Sequence, residues 1–344
     1  MITNTPEQAE AILKRLDEHL QRRPRLAETL FRTLLISLHK RGIVDIDQVQ
    51  DQAIVLAGGP EEATATDPNQ AERDRWSHEQ RYYVEQVIRE YVGRYFTMAE
   101  LDDLANLTVK REEVHGLEAA GNLTKISFRE LADKIQRFCE LPLGETQVLP
   151  EEVVGTRVAL IRHLISDQLE FIGLAKAHLT IRDFDDVTRR MVGSDHGMGR
   201  IGGKAGGMIL GYKIITSQVA GHEDDLPVAI PESYYLRSDV VEEFLRLNRL
   251  DEYQSQKYKP LEALTREYPL IKGVFRNGDF PLKVVHGLRN ILEELGNHPL
   301  IVRSSSLLED RIGTGFYGKY DSIFLPNQGT LEQRLRALLG GIAE

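Results

Sequence analysis

Apolar residues recur at helical spacing through most of the first half of the chain. Positions three and four residues apart lie on one face of an α-helix, so such a stripe predicts a helix with one buried side. Five segments carry this pattern: residues 9–20, 27–38, 84–96, 128–138 and 151–178. The fourth also opens with a capping-box pattern, in which Ser127 precedes Glu130 by three residues. The first half is therefore predicted to be all-helical.

The pattern changes near residue 191, where glycine clusters, short β-rich runs and intervening helices replace the long stripes. Apolar runs beside turn residues predict four strands: residues 227–230, 233–236, 299–306 and 320–325, the third of which runs into a serine cluster. Two helices are expected to begin near Asp239 and Thr330, and Gly340-Gly341 is expected to end the second. These mixed elements, after an all-helical domain, predict an α+β fold.

Composition gives candidate domain limits. Residues 57–79 are rich in Gly, Pro, Ala, Thr and acidic side chains and lack a helical period, which is typical of a linker. The predicted organisation is: residues 1–56 as N-terminal helices, 57–79 as a linker, 80–190 as a helical domain and 191–344 as a mixed domain. The helical half gathers no convergent polar groups, so we expect it to dock another domain or protein.

Charge and cysteine content exclude several classes of protein. The 344 residues carry a formal net charge of −10, which argues against a chain that binds nucleic acid or an anionic membrane. No apolar run approaches the roughly 18 residues that span a bilayer, and the N-terminus lacks a signal-peptide pattern. The single cysteine, Cys139, excludes an internal disulfide and a multi-cysteine zinc site, and its apolar neighbours indicate a structural thiol. We therefore expect a cytoplasmic protein.

The densest glycine segment is GMGRIGGKAGGMILGY, residues 197–212, with seven glycines around Lys204. An apolar stripe follows it, so Gly202-Gly203-Lys204 should open a helix. The first N–H groups of a helix have no internal partner, and the helix dipole adds positive potential there. Glycines let a bulky anion approach the backbone, and the lysine adds a full charge. This combination suits a phosphate group.

Known phosphate motifs fit this segment only in part. A Walker A loop would need a glycine where Met198 stands and a hydroxyl where Ala205 stands. A dinucleotide fingerprint, Gly197-x-Gly199-x-x-Gly202, is present, but no convincing strand precedes it. A glycine-rich loop with no ligand remains a further alternative. His196, just before the loop, is interpreted as a residue that structures it.

A second motif, VRSSSLLEDRIGTGFYGKYD at residues 302–321, makes the ligand-free alternative weaker. Arg303 stands at the predicted end of a strand, where its guanidinium can be presented rigidly to phosphate oxygens. Ser304, Ser305 and Ser306 add hydroxyl and backbone donors. A glycine-rich lysine loop and a strand-end arginine in one domain therefore point to one anion site.

Together, GGKAGGMILGY and VRSSSLLEDRIGTGFYGKYDSIFL closely resemble the N-terminal nucleotide-binding region of the phosphoenolpyruvate synthase and pyruvate phosphate dikinase family. The segment LPVAIPESYYL, residues 226–236, stands between them as a related segment does in the family. The resemblance covers residues 191–344 and implies a partial ATP-grasp α/β domain with ATP as the cofactor. It implies that Lys204 and Arg303 contact ATP phosphates. Gly202, Gly203, Ser304 and Ser305 are expected to bind the nucleotide from the same motifs.

In the complete enzyme, the resemblance implies that ATP phosphorylates a carrier histidine, which passes the phosphoryl group to an acceptor such as pyruvate. The family's Mg²⁺ ligands and adenine pocket belong to a later half, so we expect them outside this chain. The chain is thus predicted to be the front fragment of an ATP-dependent phosphotransferase, inactive alone, with no catalytic or metal-binding residue of its own. An alternative is a non-catalytic module that senses nucleotide or binds a protein through a degenerate ATP-grasp lobe. Bulkier residues at 231–234 and 315–318 than the family carries favour that alternative.

Overall fold

The computed structural model describes residues 3–58, 78–123, 125–141, 150–219, 228–305 and 321–344. The chain divides into two compact units, Met1–Glu112 and Glu113–Glu344. This division falls inside one long helix, Met98–Asn122. Each unit buries apolar clusters of its own.

Unit 1 is helical, as its sequence pattern predicts. Its helices are α1 (Pro6–Arg22), α2 (Ala27–Lys40), α3 (Ile46–Leu56), α4 (His78–Tyr95) and the first part of α5 (Met98–Asn122). A short 3₁₀ turn, Pro24–Leu26, joins α1 to α2. The stripes at 9–20, 27–38 and 84–96 are confirmed. Helix α3 lies within the residues predicted as N-terminal helices, 1–56, but shows no clear apolar stripe because it buries only Val49 and Ala53. Asp45 and Gln48 form a capping box at its start.

Unit 2 begins with helices that share one apolar core. They are α6 (Phe128–Cys139), α7 (Pro150–Leu164), α8 (Leu169–His178) and α9 (Ile181–Arg189). The Ser127 cap of α6 is confirmed, since Ser127 Oγ accepts the Glu130 N–H at 3.2 Å. The single helix predicted over 151–178 is wrong. The chain leaves the helix at residues 165–168, where Ser166 Oγ accepts the Gln168 N–H at 3.2 Å and competes with the helical bond.

Short strands and further helices make up the rest of unit 2. The helices are α10 (Gly203–Val219), α11 (Asp239–Leu247), α12 (Leu261–Arg276), α13 (Leu282–Leu295) and α14 (Leu331–Ala343), with a 3₁₀ segment at Asp251–Tyr258. Strand β1 (Met191–Val192) pairs in parallel with β2 (Tyr235–Leu236). Strand β3 (Leu300–Arg303) pairs antiparallel with β4 (Ser322–Leu325), so that Arg303 faces Ser322. The mixture of elements is compatible with the predicted α+β class.

Local predictions in this half are partly confirmed and partly wrong. The strand expected at 227–230 is wrong for its described residues, 228–230, which have no regular structure. The strands near 300 and 323 are confirmed. Thr330 caps α14 as expected, since its Oγ1 accepts the Gln333 N–H at 3.3 Å. The stop at Gly340-Gly341 is wrong because α14 continues to Ala343.

The compact units divide the chain after Glu112, and the domain limits predicted at residues 56, 79 and 190 stay a prediction. Helix α4 shares one core with α1, α2 and α3, although the predicted linker separates them in sequence. Phe184 and Tyr235, on opposite sides of residue 190, belong to a single buried cluster. Most of the predicted linker, residues 59–77, lies outside the described residues.

Candidate nucleotide-phosphate site

The lysine of the glycine-rich segment lies in the first turn of α10, as predicted. Gly202 precedes the helix with a φ of +81°, a conformation that glycine adopts without strain. The Gly206 N–H donates to the Gly202 carbonyl at 3.1 Å and closes the first turn, which contains Gly203, Lys204 and Ala205. The Lys204 side chain is half-buried there. Lys204 therefore lies at the positive end of the α10 dipole.

The second motif meets the first at Ser305. Strand β3 ends at Arg303, and two residues later Ser305 Oγ accepts the Ala205 N–H at 3.1 Å. The backbone is also close, because a Cβ atom on Gly202 would lie only 1.7 Å from the Ser305 carbonyl oxygen. Two motifs 100 residues apart in sequence are therefore in direct contact.

The donors at this junction have the chemistry of an anion site. Ser305 Oγ accepts one hydrogen bond from α10 and keeps its own proton to donate. Arg303 is exposed, and two extended residues place its Cα within about 7 Å of the Ser305 Cα. An arginine side chain is long enough to reach the junction from there. Lys204, Arg303 and the dipole of α10 all contribute positive potential.

Three other glycines, in or just before the segment, serve a different purpose from the one the sequence indicated. A Cβ on Gly193 would lie 2.5 Å from Arg237 Nη2, and one on Gly197 would lie 1.5 Å from Asp239 Oδ2. A Cβ on Gly199 would lie 2.2 Å from Asp239 Oδ1. These glycines make room for the protein's own side chains, so the dinucleotide-fingerprint spacing has a structural explanation. Sequence reasoning placed Asp239 at a helix start but missed that Asp239 and Arg237 contact these glycines, because neither residue stands near the motif in the chain.

The remaining predicted residues are distributed as follows. Ser304 lies between Arg303 and Ser305 and is half-buried. His196 is exposed, and its backbone N–H donates to Ser194 Oγ at 3.4 Å. Ser306 and the second glycine loop, residues 306–320, lie outside the described residues.

Cysteine chemistry and metal binding add no further site in the part of the chain that the structure describes. Cys139 is half-buried, and burial raises the pKa of its thiol to about 11, which supports the predicted structural role. Among the described residues, no three His, Cys, Asp or Glu side chains form a group suited to a metal ion. The described helices also include none with the length and apolar character needed to cross a membrane.

The fold is compatible with an α+β domain, and its junction is a cationic helix start suited to phosphate. The family comparison agrees, because residues 198–343 match the family model described as pyruvate phosphate dikinase, AMP/ATP-binding domain. This match confirms the resemblance predicted from the two motifs and indicates a nucleotide as the ligand class. Residues 1–197 lie outside the match. No curated protein and no solved structure matches the chain.

Proposed function

We propose that unit 2 binds the phosphates of ATP where the start of α10 meets the end of β3. Gly202, Gly203 and Lys204 are the contacts from the helix side. Arg303, Ser304 and Ser305 are the contacts from the strand side. The observation that carries this proposal is the hydrogen bond between Ala205 N–H and Ser305 Oγ, which joins two motifs that the sequence had assigned separately to phosphate.

Physical chemistry favours phosphate over other ligands at this junction. Backbone N–H groups at a helix start and a serine O–H are fixed donors, and two flexible cations can adjust to several phosphate oxygens. A charged hydrogen bond contributes about 1.5–3 kcal/mol. Affinity should therefore fall from ATP to AMP to adenosine as phosphates are removed.

The reaction that we propose is phosphoryl transfer of the pyruvate phosphate dikinase kind. When bound, ATP supplies the phosphoryl group. Lys204 and Arg303 hold its oxygens and reduce the negative charge that opposes nucleophilic attack. A carrier histidine, the Mg²⁺ ligands and an acceptor such as pyruvate complete the proposal from outside these 344 residues. The partial ATP-grasp architecture is part of the same proposal.

Substitution of Lys204 tests the proposal. Lys204→Ala should weaken ATP binding at least about tenfold, because one charged contact of about 1.5–3 kcal/mol is lost. Isothermal titration calorimetry with ATP, AMP and adenosine measures the effect. Lys213→Ala is the matched control, since Lys213 lies on the same helix away from its start and pairs with Asp183 at 2.5 Å. Equal ATP affinity for Lys204→Ala and the unchanged chain would rule out the phosphate site.

The second candidate function is a non-catalytic module that senses nucleotide or docks a protein. One contact favours it: the Ala205 N–H is already satisfied by Ser305, so one donor of the helix start is not available to a ligand. A module that only docks a protein should show no ATP heat at all. A nucleotide sensor should bind ATP and respond to Lys204→Ala, but should pass no phosphoryl group to a carrier histidine in a full-length enzyme.

A further inference from the structure

One arginine of unit 2 is buried against the loop that leads into α10, residues 193–202. Arg237 is 1% exposed, and its Nη1 donates to the Gly197 carbonyl at 3.1 Å. Its Nη2 donates to the Ser194 carbonyl, and the Phe128 ring covers the guanidinium with its centroid 4.1 Å from Cζ. A buried guanidinium needs such partners, because water no longer solvates its charge.

The loop is shaped around this arginine and its neighbour Asp239. Asp239 Oδ2 lies 3.5 Å from Arg237 Nη2. Side chains on Gly193, Gly197 and Gly199 would overlap with these two residues, as the Cβ distances of 2.5, 1.5 and 2.2 Å show. The glycines of this stretch therefore allow the backbone to lie directly on Arg237 and Asp239.

Both ends of the loop are tied to the same short segment. At the start, the Arg237 N–H donates to the Val192 carbonyl at 3.0 Å. At the far end, the Ser238 N–H donates to the Arg200 carbonyl at 3.0 Å, and the Arg200 N–H donates to Ser238 Oγ at 3.1 Å. Gly202 and Lys204 follow within four residues of Arg200. The loop, held at both ends by this segment, therefore leads directly into the start of α10.

We propose that Arg237 is a positioning residue for the nucleotide-phosphate site, an inference that rests on the proposed function. Arg237 does not contact the nucleotide. It holds the Ser194 and Gly197 carbonyls inward, so the loop keeps one conformation and presents Gly202 and Lys204 to the phosphates. A binding site that is already ordered loses less conformational entropy when the ligand binds. Without the two Arg237 hydrogen bonds, part of the binding free energy of ATP would go into ordering the loop.

Arg237→Lys tests this role because lysine keeps the charge but cannot donate in the same forked geometry. In the 344-residue chain, we expect ATP affinity to fall at least tenfold and hydrogen exchange at residues 194–200 to accelerate without nucleotide. Arg334→Lys is the matched control: Arg334 Nη1 also donates to two backbone carbonyls, those of Leu292 and Gly296. Arg334→Lys should lower the unfolding temperature, as Arg237→Lys should, but should leave ATP affinity unchanged.

Outcomes of this experiment separate the two proposals. If Arg237→Lys accelerates exchange at 194–200 but binds ATP within twofold of the unchanged chain, the positioning role is overturned. Unaccelerated exchange overturns it as well. If the unchanged chain binds no ATP, the proposed function fails and the positioning role fails with it. The exchange data then still report whether Arg237 orders the loop.

A second variant covers the case in which Arg237→Lys does not fold. Gly197→Ala leaves Arg237 in place but forces a methyl group onto Asp239 Oδ2, so it should also weaken ATP binding. Gly199→Ala tests the same arrangement, because its Cβ would lie 2.2 Å from Asp239 Oδ1 and 2.5 Å from the Asp239 backbone nitrogen, and it should weaken ATP binding as well. Unchanged affinity in Gly197→Ala overturns the inference.

Discussion

Ser305 has two roles at the scale of single residues. It caps the start of α10 from a position 100 residues away, and its backbone leaves no room for a side chain at Gly202. Most helix caps come from the residue just before the helix, so this long-range cap links the stability of α10 to the position of the strand end. A local helix property therefore depends on tertiary structure.

Removal of the Ser305 hydroxyl should affect both stability and nucleotide binding. Ser305→Ala should cost about 1 kcal/mol of stability, because the Ala205 N–H loses its acceptor, and should weaken ATP binding severalfold. Urea unfolding and calorimetry measure the two effects. Thr330→Ala removes an ordinary cap from α14 and is the control. It should cost similar stability without changing ATP affinity, and an equal ATP effect in both variants would contradict the role of Ser305.

Helix α14 illustrates what decides an element's length. Its sequence places two glycines near the end, yet the helix runs through them to Ala343. Leu335 and Leu338 are buried in the core that α14 shares with α13 and β3, and this packing outweighs the low helix propensity of glycine. At Gly341 the small residue has a purpose, because a Cβ there would lie 3.3 Å from Ile323.

The two glycines of α14 should respond differently to alanine. Gly340→Ala should stabilise unit 2 by roughly 0.5–1 kcal/mol, because alanine is the better helix former and no atom lies within 4 Å of the new Cβ. Gly341→Ala should gain less, since its methyl group meets Ile323. Thermal unfolding of the two variants side by side gives the comparison. A larger gain at Gly341 would show that helix packing on β4 is looser than the distances indicate.

At the scale of the whole molecule, the residues with proposed nucleotide contacts all belong to unit 2. Unit 1 has a charge cluster of its own, in which Asp102 Oδ1 lies 2.8 Å from Arg15 Nε and 2.6 Å from His19 Nε2. The hydrogen bonds from Arg15 and then His19 lower the pKa of Asp102. Such a group stabilises the folded state above its ordinary pKa of 3.8, and the effect is lost as the pH falls through the lowered value.

Asp102→Asn should therefore destabilise unit 1 in a pH-dependent way and leave ATP binding intact. We expect the unfolding temperature to fall by roughly 2–5 °C at neutral pH. The difference from the unchanged chain should hold down to about pH 4 and shrink only as the pH falls from 3.8 through the lowered pKa of Asp102. Circular dichroism follows unfolding and calorimetry follows binding. A constant difference over that range would mean that Asp102 acts through packing and not through charge.

The sequence by itself determined the features that depend on neighbours in the chain. Helical stripes, the caps at Ser127 and Thr330, the two strands near residues 300 and 323 and the family resemblance all follow from local patterns. Only the tertiary structure decided that α4 packs on α1 to α3 and which group each glycine accommodates. A glycine in the sequence can indicate that a side chain would not fit there, but it does not show which neighbouring group occupies the space. The partners of Gly197 and Gly202 stand 42 and 103 residues further along the chain, and only folding brings them together.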